Sequence, residues 1–148
     1  MTTHHMAIAV ALGDYLKAAP IAGGRVYVNR ARALGSDKDA AVVVRLSRAA
    51  SQEAQVLGGR TGWSTLIEIE CYGRDGANDV PGSAADQVIE QVFDSLASGP
   101  DLGYGVMDIE PLAGDTLAWD FDQLDSSVAC VTARFVVKHQ TNGRTLKL

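Results

Sequence analysis

Histidine, cysteine and tryptophan are all scarce in this chain of 148 residues, which has three His, two Cys and two Trp. His4 and His5 are adjacent near the start and His139 lies near the end, so the ligand spacing of a structural zinc site is missing. The His4-His5 pair reads as part of a mobile tail. Cys71 and Cys130 each fall inside a strand pattern and read as reduced core thiols, because a buried Cys packs as a small hydrophobe and disulfides are rare in the cytosol. No apolar run approaches the roughly 20 residues of a membrane-spanning helix. The start, Met1-Thr2-Thr3-His4-His5-Met6, lacks the basic region and apolar stretch of a signal peptide, so cytoplasmic synthesis is expected. Gly58, Gly59 and Gly62 precede a strand instead of opening a helix, and no Gly-Lys-Ser/Thr follows, unlike a phosphate-binding loop. A Gly-x-Ser-x-Gly elbow is also missing. Asp115, Asp120, Asp122 and Asp125 could surround a hard cation, but the glycine and the closing glutamate of an EF-hand loop are lacking, and a solvated acidic edge is the simpler reading. No carboxylate pair is singled out for acid–base work. The sequence therefore offers no catalytic residue, no cofactor site and no metal site.

Positive charge is missing from one stretch altogether. Residues 75–126 hold twelve acids and no Lys or Arg, whereas residues 1–60 hold eight Lys/Arg against four acids, within a net charge of −5 for the whole chain. A small protein with one basic and one acidic region can attract a copy of itself head to tail, and such contacts close into rings when the rotation permits. The same acidic stretch repels phosphate and disfavours nucleic acid.

What is present is alternation. In Thr65-Leu66-Ile67-Glu68-Ile69-Glu70-Cys71-Tyr72, Thr65, Ile67, Ile69 and Cys71 share one side and Leu66, Glu68, Glu70 and Tyr72 the other, the pattern of a half-buried strand. It spans residues 63–74. Residues 5–18 read as a helix through Ile8, Leu12, Tyr15 and Leu16, ended by Pro20 and Gly23-Gly24. Strands are expected over 25–34 and 41–48, joined by a turn at 35–39, and residues 49–62 read as a long connection or as the frayed ends of two long strands. Ser83 looks like the N-cap of a helix with the apolar stripe Ala85, Val88, Ile89, Val92, Phe93 and Leu96, stopped by Gly99-Pro100. Strands near 106–112, 116–122 and 128–141 complete the chain. The length suits one domain. The expected fold is α+β: a mixed, mostly antiparallel sheet with two helices packed on one face, in the order α-β-β-β-α-β-β with room for one more strand. If the strands at 63–74 and 128–141 are neighbours, Glu68 and Glu70 can meet Arg134 and Lys138 across the ladder.

This layout resembles the tail terminator proteins of long-tailed phages, the minor tail protein U family of lambda-like phages and their prophage relatives. The likeness covers nearly the whole chain. It is carried by the N-terminal helix with its Pro/Gly end, Arg25-Val26-Tyr27-Val28, Ala40-Ala41-Val42-Val43-Val44-Arg45-Leu46, the long loop, Trp63-Ser64-Thr65-Leu66-Ile67-Glu68-Ile69-Glu70-Cys71-Tyr72, the amphipathic helix, and Ala129-Cys130-Val131-Thr132-Ala133-Arg134-Phe135. The resemblance implies a structural protein and not an enzyme. It would form a homohexameric ring on the head-proximal end of the tail tube, touching the major tail tube protein on one side and the head–tail connector on the other. It would lie in the tail or neck of the virion after synthesis in the bacterial host. Another neck or tail-completion protein, or a small α+β ligand-binding domain or enzyme, are the alternatives. An RNA-binding sheet is disfavoured, since Glu68 and Glu70 stand beside Tyr72 where exposed aromatics would be needed. Arg45, Arg48 and Arg60 are the expected contact residues of the basic region, and Asp115, Asp120 and Asp122 those of the acidic one; Trp63 and Trp119 read as core or edge packing, with interface anchoring as the sharper alternative, and Trp63 is counted among the expected contacts.

Overall fold

The computed structural model describes residues 2–29, 39–52, 58–99, 101–125 and 128–147. Helix α1 (His4–Ala18) leads through a 3-10 turn (Ile21–Gly24) into β1 (Val26–Val28), β2 (Ala40–Ser51) and β3 (Thr61–Arg74). Helix α2 (Ser83–Ala97) follows, then β4 (Asp108–Pro111), β5 (Leu117–Asp125) and β6 (Val128–Thr141). The sheet runs β1-β2-β3-β6, and β4 and β5 share the far edge of β6 end to end. That division of one edge adds the third strand after α2.

The period-two alternation sorts the sheet into two faces. Val42 and Val44 of β2, Ile67, Ile69 and Cys71 of β3, and Ala129, Val131, Ala133, Phe135 and Val137 of β6 meet Ile8, Leu12 and Leu16 of α1 and Val88, Ile89, Val92 and Leu96 of α2 in one core. Both helices thus cover the same face. On the opposite face Ala41 and Val43 are sealed by Tyr27 and Tyr72, and the remaining positions are largely charged.

Four expectations need correction. The strand expected over 25–34 ends at Val28, because Asn29 turns to a positive φ of 53° and caps the neighbouring strand: its Oδ1 accepts from Leu46 N–H at 3.0 Å. Residues 30–34 of that expectation lie outside the described residues. The short β1 pairs parallel to β2, Val26 opposite Val42, where strands joined by a short turn mostly pair antiparallel; all other pairings among the described residues are antiparallel. The connection expected over 49–62 is shorter than that, since β2 runs to Ser51 and β3 starts at Thr61, in line with the reading of two long strands; residues 53–57 lie outside the described residues. Ser83 is not the cap of α2. Gly82 takes that position in the left-handed region, and the capping acceptor is Asp75, whose carboxylate accepts from Gly82 N–H at 2.8 Å and Ala84 N–H at 3.0 Å. An ionised side chain at a helix N-terminus satisfies free N–H groups and favours the dipole.

The start of α2 sits directly on β3. A Cβ added at Gly73 would come within 2.3 Å of Ala85 N, so only glycine permits this approach.

Candidate assembly surface

The charged face of the sheet is mostly satisfied within the chain. Arg45 forms an ion pair with Glu70, which also accepts from the Tyr72 hydroxyl at 3.2 Å. That bond holds the Arg45 proton more firmly than usual. Arg134 lies opposite Glu68 in the β3–β6 ladder, 3.5 Å from its carboxylate, and reaches Asp115 at 3.1 Å. Lys138 pairs with Glu110 at 3.2 Å. Of the expected cross-strand pairs, Glu68 with Arg134 forms, whereas Glu70 turns to β2 and Lys138 to β4.

Asp115 owes its position to an irregularity. Leu112 N–H donates to Arg134 O at 2.9 Å and Arg134 N–H donates to Thr116 O at 2.8 Å, so residues 112–116 bulge out opposite a single residue of β6. Bulges of this kind re-aim side chains at sheet edges.

The remaining candidate residues separate into three environments. Arg48 and Arg60 are exposed and have no ion-pair or hydrogen-bond partner among the described residues. Arg48 lies where the β2–β3 register shifts, opposite Leu66. Trp63 is tied into the fold: its Nε1–H donates to Thr141 Oγ1 at 2.8 Å and its ring meets the His5 ring edge to face at 4.7 Å. Asp120 is an exposed residue of β5 opposite Cys130. Asp122 belongs to the same strand, with its side chain outside the described part of the structure.

Trp119 belongs to an apolar strip that the sequence did not mark as a whole. Leu117, Trp119 and Phe121 alternate along β5 and are 37%, 53% and 47% exposed. Leu117 lies opposite Ala133 and Trp119 opposite Val131, both of the core face, so the strip is on the helix side of the sheet. Phe121 closes over Gly82, where a Cβ would come within 2.5 Å of its ring. Val80, two residues before Gly82 in the chain, is 76% exposed. Among the described residues β5 pairs only with β6. A long, apolar, open edge is what monomeric proteins avoid. The alternation of Leu117, Trp119 and Phe121 was visible in the sequence, but their exposure depends on β5 lying at the edge of the sheet.

The three histidines also converge, against the expectation of a mobile tail. Thr3 caps α1, with its Oγ1 accepting from Met6 N–H at 3.2 Å, and His4 N–H donates to Leu146 O at 2.8 Å. The His4 ring stacks on His139 at 5.2 Å, and His5 meets His139 edge to face at 4.8 Å. His4 and His139 are buried. His139 Nε2 is 2.7 Å from Thr65 Oγ1, while its Nδ1, both ring nitrogens of His4 and Nε2 of His5 have no hydrogen-bond partner among the described residues. Burial, with the neighbouring His5 and His4, pushes the His139 pKa down to about 4, and burial with His4 lowers that of His5. The described residues hold no group of three or more ligands arranged for a metal ion.

Cys71 and Cys130 are free and buried. Burial raises both thiols, Cys130 to about 11. An open cleft of about 310 Å³ between the 3-10 turn and α2 is lined in part by Arg25, Asp39, Arg74 and Gln91. No helix among the described residues is long and apolar enough to cross a membrane.

No family model matches the sequence, and no curated protein matches it. Among solved structures, the chain is similar to the sheath/tube terminator of an extracellular contractile injection system, PVC, in its extended state. The TM-score is 0.48 at 14% identity, over 97% of this chain. The chain spans 59% of the length of that terminator.

Proposed function

We propose that this protein is a structural tail-completion protein of a phage or prophage, a terminator that assembles as a homohexameric ring on the head-proximal end of a tail tube. The observation that carries the reading is the open β5 edge. It joins an apolar strip, Leu117, Trp119 and Phe121, to a stretch of twelve acids without a base. Arg48 and Arg60, exposed and without a partner among the described residues, stand on another part of the same chain. Two unlike surfaces on one small subunit suit repeated head-to-tail contact.

A tube of stacked rings grows because each ring leaves an unsatisfied surface for the next. A terminator must match that surface on one side and fail to reproduce it on the other. The axial partners of this reading are the major tail tube protein and the head–tail connector. Its place is the tail or neck of the virion, after synthesis in the host cytoplasm.

Light scattering across a concentration series tests the assembly step. The expected result is a shift from the 15.6 kDa subunit to one closed species of about six times that mass, without open-ended growth. A mass that stays at one subunit under all concentrations and salts, with or without tail tubes, refutes the proposal.

A further inference from the structure

The apolar strip on β5 has a counterpart elsewhere on the chain. Between β2, β3, β6 and Leu112 lies a mainly apolar cleft of about 160 Å³, lined by Ala50, Leu66, Leu112 and Val136 with Arg48 at its side. Leu66 and Val136 oppose each other one position away from Ile67 and Phe135, so the cleft opens on the face away from the helices. The strip is on the helix side. One molecule therefore cannot seat its own Trp119 in its own cleft.

We propose that Trp119 of one copy, flanked by Leu117 and Phe121, seats in the Arg48 cleft of the next copy. Three observations select a second copy as the occupant. The cleft is small and walled by short or aliphatic side chains, suited to one large ring. Its side carries Arg48, which has no partner of its own among the described residues. The strip lies in residues 101–125, which hold seven acids and no Lys or Arg, so Arg48 would meet both an indole face and an acidic surround. Because knob and cleft are different surfaces on opposite faces, the contact is heterologous. It builds a ring or a helical series and not a two-fold dimer. This inference rests on the ring-forming reading and specifies which surfaces close the ring.

The test mixes two full-length variants, Ala50→Cys and Leu117→Cys, and adds a short bis-maleimide. The native thiols Cys71 and Cys130 are buried and should not react. The mixture should give a cross-linked pair, while either variant alone should not, because like thiols do not meet across a heterologous contact. In parallel, Trp119→Ser and Ala50→Trp, which removes the knob or fills the cleft, should each weaken assembly about thirtyfold or more by light scattering, the effect of losing a buried tryptophan anchor. The thermal midpoint is measured alongside, and Trp119→Ser should leave it nearly unchanged because the ring is exposed. If the wild type assembles but both variants assemble equally well and no mixed cross-link forms, the cleft pairing is wrong and the ring reading stands. If like thiols cross-link, the contact is two-fold and the inference is overturned. A wild type that never assembles overturns both.

Discussion

At the residue scale, the histidine cluster makes the fold acid-sensitive. His139 is fully buried and has a folded pKa of about 4, against an ordinary 6.5. Between these values the unfolded chain binds a proton that the folded protein refuses. Stability is complete above about pH 6.5 and falls as pH drops toward 4, by up to about 3 kcal/mol at 1.4 kcal/mol per unit. The lowered pKa of His5 acts in the same direction. Denaturant midpoints at pH 7, 5.5 and 4.5 measure this slope. His139→Leu should flatten most of it, and an unchanged slope would assign the acid sensitivity to other groups. The arginines behave differently from one another. Arg48→Glu with Arg60→Glu should leave the thermal midpoint within about 0.5 kcal/mol of wild type, since both are solvated, and should abolish assembly. Arg45→Glu should cost about 2 kcal/mol or more of folding stability, because it sets a second carboxylate against Glu70 in a half-buried site. The sequence showed all three arginines in one basic region but could not separate them, because the partner of Arg45 comes from β3. The histidine cluster was equally hidden. Residues 4, 5 and 139 share no local pattern, and only the docking of α1 against the end of β6 brings them together.

At the element scale, the attachment of α2 is decided by two residues before it. Asp75→Ala removes the acceptor of the Gly82 and Ala84 N–H groups and should cost about 1–2 kcal/mol, the usual worth of a capping side chain. Gly73→Ala drives a methyl into the backbone of α2 and should cost about 2–3 kcal/mol, as overpacking does. Chemical denaturation of both variants checks these values, and a neutral Gly73→Ala would mean that α2 is seated more loosely than the geometry shows. The long elements were legible because periodicity repeats over many residues. The alternation in β3 and β6 and the stripe of α2 each fixed a face, and the observed β6 boundaries, Val128–Thr141, match the expected ones. Short-range features were not legible. β1 is three residues long, and its parallel partner is chosen by core packing and by the Asn29 turn. Asp75 lies seven residues before Gly82 in the chain, outside any local capping pattern.

At the scale of the whole molecule, no further strand among the described residues pairs with the far edge of the sheet. The split of that edge into β4 and β5 places the Asp115 bulge in the middle and the apolar strip at one end. Nothing in composition marks this edge as open; strand order does, and strand order is a tertiary property. Assembly driven partly by the acidic and basic regions should weaken as salt rises, because exposed charges are screened within about 10 Å at 0.1 M ionic strength. The apolar seat of Trp119 should persist, so assembly should weaken gradually and not vanish. Sedimentation at low and high salt reads this directly, and complete salt independence would assign the contact to apolar burial alone.

The most direct measurement of the terminator account is electron microscopy of purified tail tubes incubated with this protein and then supplied with fresh tube subunits. The account predicts a ring at one end of each tube and no further lengthening at that end. Tubes that lengthen at both ends as freely as they do without the protein, with no ring bound, would contradict it.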